Sequence, residues 1–205
     1  MKGPGMQDGF RKARNALLVL AASVAVTACV SFGGGKTPPF LLTLTADNVV
    51  AVGSAVSGPQ SGAIVVDLPV AARKVDQLRV PVQTTPSTVA YLIDAYWIDK
   101  PNRLFQSLLA STIAANKGRL VLTSTQAGGK AETTLAGELM NFGVDTQLQS
   151  VIVTYDAVRL RDGQPVDKKR FEAREAIGVV EAAPVGEALN RAANKVAKEV
   201  SDWLG

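Results

Sequence analysis

Two residue types that carry much of protein chemistry are scarce in this chain: among 205 residues there is no histidine, and there is a single cysteine, Cys29. Without histidine the commonest general base and the commonest metal ligand are both gone. Zinc sites draw on cysteine and histidine, so no zinc spacing exists. Carboxylate pairs remain, such as Asp94 with Asp99 or Glu172 with Glu175. The second pair would point to opposite faces of a strand, because side chains alternate. A serine–lysine nucleophile needs a Ser-x-x-Lys spacing, which Ser111, Thr112 and Lys117 do not provide. Gly35-Lys36-Thr37 ends like a phosphate-binding loop, but Val30 occupies the earlier glycine position and Pro38-Pro39 follow where a helix should start. The expectation is a protein that is not an enzyme, with no metal or other cofactor.

That leaves Cys29. Lys2, Arg11, Lys12 and Arg14 precede an uncharged run from Asn15 to Cys29 whose apolar centre is Ala16 to Val26. A charged region, a short apolar region and a small-residue cleavage zone make a secretory signal peptide. The run falls short of the roughly 20 residues a membrane span needs. Val26-Thr27-Ala28-Cys29 resembles the bacterial lipobox. In such signals the cysteine is diacylated on sulfur, becomes the new N-terminus and is then acylated on its amine. An ordinary signal peptide, with Cys29 a small buried residue, is the alternative. Two or more acyl chains anchor stably where one does not. Val30 rather than Asp follows the cysteine, and by resemblance to the enteric sorting rule this favours the periplasmic face of the outer membrane.

The signal also explains the charge. Four of the 22 basic and one of the 18 acidic side chains precede Cys29, leaving 18 and 17, so the overall +4 falls to +1. A nucleic-acid partner is therefore not expected. The organisation read from the chain is a signal at 1–28, a lipidated cysteine with a Gly/Pro tether at 29–39, and one domain at 40–205. A coil of about ten residues spans roughly 18 Å, which would hold that domain near a bilayer.

The elements that must position any site follow from periodicity. Phe40–Thr45 reads as a strand, Val52–Gly62 as a loop, and the apolar run Ala63–Val70 as a buried strand. "LRVPVQ" and "TVAYLIDAYWI" read as extended, the first confined to a sheet edge by Pro81. Asp99 and Pro101 open a helix with Leu104, Phe105, Leu108, Leu109, Thr112 and Ile113 on one face, stopped by Gly118. Arg119–Thr125, Thr133–Val144 and Ser150–Arg161 read as strands, and Asp162-Gly163 as a type I′ turn with both residues at positive φ. The returning strand puts Phe171, Ala173 and Ile177 on its dry side, and Lys168, Arg170, Glu172 and Arg174 on its wet side. From Pro184 on, Val185, Leu189, Ala192, Val196, Val200 and Trp203 or Leu204 form an apolar stripe opposite Arg191, Lys195 and Lys198. Packing on the sheet is the expected role of this helix, with a membrane-lying or partner-binding helix the alternative. The fold class is α+β: a mainly antiparallel sheet with a central helix and a C-terminal amphipathic helix packed on it.

Several segments in order, "YLIDAYWIDKPNRLFQSLLASTI", "LAGELMNFGVD", "VTYDAVRLRDGQPVDKKRFEA" and "ALNRAANKVAKEVSDWL", resemble the ABC-type transport auxiliary lipoproteins, including the paraquat-inducible protein C-like lipoproteins. The shared pattern is carried by Trp97, Asp99, Pro101, Leu104, Leu108 and Leu109, then Leu135, Glu138, Leu139 and Phe142, then Trp203-Leu204. The resemblance implies a non-enzymatic envelope component, partnered by an ABC ATPase and permease and by a mammalian-cell-entry (MCE) domain substrate-binding protein that moves phospholipids or other lipids. A homo-oligomer stays open. Tyr96, Trp97, Asp99 and Arg103 are the candidate partner contacts. Trp97 as core filler and Asp99 as a helix N-cap are the structural alternatives. A structural or assembly lipoprotein chaperoning an outer-membrane complex would fit the same residues.

Overall fold

The computed structural model describes residues 40–116 and 118–205, which belong to the second of two compact units, Pro38–Gly205. The signal, Cys29 and the tether lie outside the described residues.

The sheet is built on one long strand, β6 (Thr133–Asp145). Three short strands run in series along one of its edges: β1 (Ile64–Val66), β2 (Val70–Ala71) and β3 (Arg79–Thr85). Their registers, Ile64 with Thr133, Val70 with Glu138 and Val82 with Val144, are all parallel. Along the other edge β7 (Ser150–Arg161) pairs antiparallel over its whole length, and β8 (Asp167–Ala176) pairs antiparallel with β7. Outside β3 lies β4 (Thr88–Tyr96), antiparallel; outside β1 lies β5 (Val121–Leu122), parallel. The sheet is thus α+β as expected but mixed rather than mainly antiparallel. The all-buried "IVV" of β1 is the pattern of a strand covered on both faces, which suits parallel pairing.

Helices α1 (Pro101–Ala115) and α3 (Ala182–Leu204) cover one face, and a single turn, α2 (Ser124–Ala127), joins β5 to β6. The apolar stripe of α3 is fully buried at Val185, Leu189, Ala192, Val196 and Val200, so this helix packs on the sheet. Its many alanines keep its side chains short and let its backbone come close to the sheet and α1. Phe105, Leu108, Leu109 and Ile113 of α1 enter the same core. An aromatic row ties the layers together: Trp97 to Phe142 at 5.3 Å, Phe142 to Phe105 at 6.3 Å, and Phe105 to Tyr155 at 5.3 Å.

Five local expectations are corrected. Phe40–Thr45 is not a laddered strand; it makes one bridge, Leu42 with Trp97. Pro81 sits inside the sheet, because the β3–β4 register shifts between Arg79 and Pro81 and the pairing with β6 begins only at Val82, so no ladder bond needs its missing N–H. Helix α1 ends at Ala115, before Gly118, where the Asn116 side chain bonds Ser201 Oγ at 2.9 Å. Arg119–Thr125 holds only the two residues of β5, because Thr123 and Gln126 form a capping box that starts α2. Of Asp162-Gly163 only Gly163 has positive φ, 67°. Residues 162–166 form a longer loop, in which Pro165 has no N–H for the ladder.

Candidate functional site

The predicted contact residues sit where β4 passes into α1. Asp94 has a positive φ of 55°, and β4 uses the steps from Tyr91 to Tyr96 against only Pro81 to Arg79 on β3. This wide bulge turns the end of β4. Beyond it Trp97 points into the core, 2% exposed, its Nε1 without a hydrogen-bond partner among the described residues. Tyr96 is half-buried, and Arg79 lies 5.7 Å from both its ring and that of Tyr91. Asp99 is not the helix N-cap; Lys100 holds that position, and Asp99 Oδ1 accepts from the Lys100 N–H at 2.7 Å. The other Asp99 oxygen stands 3.8 Å from Arg103, four residues on. The structure therefore pairs Asp99 with Arg103 at the surface, stacks Tyr96 by Arg79, and sends Trp97 inward.

A feature not anticipated from sequence lies alongside. Residues 40–47 form a strap running parallel to the end of β4. Leu42 N–H donates to Tyr96 O at 2.7 Å, and Ile98 N–H to Leu42 O at 2.9 Å. The Leu42 side chain seats against Gly186 of α3, where an added Cβ would stand 2.6 Å from Leu42 Cδ2. Two asparagines of α3, one turn apart, then stand in for a neighbouring strand. Asn190 Oδ1 accepts from Thr45 N–H and Asn194 Oδ1 from Asp47 N–H, while Asn194 Nδ2 donates to Thr45 O, each at 2.9 Å. The one trace of it in the sequence is an asparagine set within the alanine-rich stripe, Asn194, which is buried.

Two concavities open elsewhere on the sheet and at its β4 edge. A groove of about 490 Å³ opens between β4 at Ala90–Asp94 and the start of α3 at Val180–Ala182; Val82 and Leu92 line it, and Asp94 and Glu181 are its carboxylates. A more polar cleft of about 230 Å³ lies among Lys74, Gln83, Asn141, Asp145 and Arg174. There Asn141 donates to Thr154, Thr154 to Glu172, and Arg174 to Glu172.

The charged groups are largely engaged with one another. Asp156 receives two bonds from Arg170, at 2.6 and 2.8 Å, which hold its carboxyl below the usual range against the opposing effect of burial. Asp167 is lowered by Arg159, whose guanidinium also bonds Trp203 O at 2.9 Å and covers the Trp203 ring. Glu175 is lowered chiefly by Lys195, then by Arg191 at 3.4 Å, both on α3. Glu172 and Glu175 do face different partners, as their spacing requires. Burial, with a smaller contribution from Asp67, pushes the Tyr155 phenol up, so it stays neutral and donates to Ala136 O at 2.9 Å. No group of three or more His, Cys, Asp or Glu among the described residues is placed to hold a metal ion, and no helix among them is long and apolar enough to cross a membrane.

Fold and surface together define a two-layer α+β module whose ionisable groups brace helices and strands. The chain belongs to the family of the ABC-type transport auxiliary lipoprotein component, which matches residues 42–201. Membership makes it a lipoprotein of a transport system in the cell envelope, in an auxiliary role rather than that of a cofactor-dependent enzyme. Crystal structures that resemble it include two of like extent. One is a DUF330 protein from Xanthomonas campestris, 19% identical, with a TM-score of 0.63 over 80% of this chain and 92% of that one. The other is an uncharacterized protein, 12% identical, with a TM-score of 0.62 over 81% of this chain and 100% of that one. At these identities they speak for the fold alone. No curated protein matches the sequence.

Proposed function

We infer that this chain is the lipid-anchored, non-enzymatic auxiliary component of an MCE-type ABC system that moves phospholipids or other lipids between the inner and outer membranes. Cys29 carries the acyl chains, and the domain stands on the periplasmic face of the outer membrane. The observation that carries the reading is the family match over residues 42–201, with a lipobox ending at Cys29 just upstream. The ATP site belongs to another subunit in this scheme, in keeping with the failed phosphate-loop pattern at Gly35-Lys36-Thr37. Tyr96, Asp99 and Arg103 are the partner contacts, and Trp97 braces them from the core.

Mild solubilisation of envelopes, affinity capture of the full-length protein and mass spectrometry test this. An MCE-domain protein and an ABC permease or ATPase are expected in the eluate, and the N-terminal peptide should begin at a triacylated Cys29. Charge reversal of the surface pair, Asp99→Lys with Arg103→Glu, should deplete the MCE protein while leaving the anchor intact. Recovery of no MCE or ABC component would overturn the reading.

A further inference from the structure

The free edge of β4 and the strap beside it carry a cluster of exposed apolar side chains: Phe40, Leu41, Ile93, Ile98 and Val180 are 44, 50, 75, 61 and 43% exposed. The register explains the grouping. Leu42 bridges Trp97 in parallel, so Leu41 stands by Tyr96 and shares with Ile98 the face opposite the buried Leu42 and Trp97. Phe40 falls opposite the buried Ala95, on the other face of the strap at the rim of the corner, and beyond the bulge at Asp94 the groove is lined by Ile93 and Val180. We propose that this corner is a membrane-contacting surface that seats on a zwitterionic phospholipid bilayer.

Three observations choose that occupant. First, the chain enters the domain at this corner. Ten residues separate Cys29 from Phe40, and the eleven steps between them reach at most roughly 40 Å, so on the reading of Cys29 as the acylated anchor, on which this proposal rests, the apolar corner is the part of the domain bound nearest the lipid. Tethering of this kind supplies a local concentration in the millimolar range, at which a patch too weak to bind vesicles alone becomes occupied. Second, the opposite edge has the opposite character. The sheet order runs from β4 through β3, β6 and β7 to β8, which places Lys168, Lys169 and Arg170 four strand spacings, roughly 19 Å, away from β4. Third, the ionic groups of the corner suit zwitterionic headgroups. Asp94 and Glu181 line the groove with carboxylates for the headgroup ammonium, while Lys100 and Arg103 are paired with Asp76 and Asp99.

The test uses the lipidated protein floated on phosphatidylethanolamine/phosphatidylcholine vesicles. Because Cys29 is acylated, a new cysteine is the sole labelling site, so a polarity-sensitive fluorophore is placed at Ile98→Cys or, for comparison, at Lys168→Cys. The label at position 98 is expected to shift to the blue and to be quenched at least threefold more than that at 168 by nitroxides just below the headgroups. Equal quenching at the two positions in protein that floats overturns the proposal and leaves the anchor standing. A position-98 label that is shielded yet insensitive to lipid nitroxides means that a second copy of the chain covers the corner, and also overturns it. Protein that does not float overturns the anchor reading, and the proposal with it.

Discussion

Gly143 and Gly186 both lack a side chain because another residue occupies the space, yet their substitution has different consequences. At Gly143 an added Cβ would lie 2.2 Å from Pro81 O, which is backbone and cannot rotate away. Gly143→Ala should therefore cost about 1–3 kcal/mol, a drop of several degrees in Tm by calorimetry. At Gly186 the obstacle is the Leu42 Cδ2 methyl, which can turn aside, and alanine regains up to about 1 kcal/mol of helix propensity. Gly186→Ala should thus change stability by less than about 1 kcal/mol. The carboxylates make a pH prediction. Asp156, Asp167 and Glu175 all have lowered pKa values, from the bonds of Arg170, Arg159 and Lys195 respectively. A group depressed in the folded state contributes stability above its unfolded value, near pH 4, and loses it as pH falls through the folded value. Tm should be flat from pH 7 to 5 and fall below about pH 4, with Asp156→Asn giving a shallower acid limb.

Among the elements, the strap is the most exposed to a single change. Asn194→Ala removes the partners of Asp47 N–H and Thr45 O together, from a buried position. A cost of about 2–3 kcal/mol is expected, and hydrogen exchange should show faster exchange at Thr45 and Asp47. Asn190→Ala loses one exposed bond, to Thr45 N–H, and should cost about 1 kcal/mol or less. What was legible in the sequence divides along similar lines. Strands β6, β7 and β8 and the buried faces of α1 and α3 could be read because each repeats a local period over ten residues or more. The parallel pairing of β1, β2 and β3 could not, since it depends on a strand far along the chain. The interior place of Pro81 needed the bulge and Gly143, and the strap needed asparagines some 145 residues away, as the Thr45–Asn190 bond shows. At the candidate site, core placement of Trp97 was readable from its type, but the N-cap position, the alternative for Asp99, is held by Lys100, whose side chain makes no cap bond, with Pro101 opening the first turn.

For the whole molecule the topology sets the order of assembly. The β6–β7–β8 meander closes through short loops, whereas β1, β2 and β3 must wait for β6 to be made and placed. Folding should occur on the millisecond-to-second scale typical of non-local sheets. Val153→Ala in β7 should slow refolding, and Val65→Ala in β1 should mainly speed unfolding, as stopped-flow chevrons would show. The strap also has a mechanical side. It runs parallel to β4, so a pull along its axis loads its bonds in shear rather than peeling them apart. Leu42's backbone bonds, its side chain lodged on Gly186, and the two asparagine clasps then resist sliding together instead of opening one by one. Load along the strap passes into α3, whose apolar stripe is fully buried, and the strap is set to withstand being drawn lengthwise without unravelling.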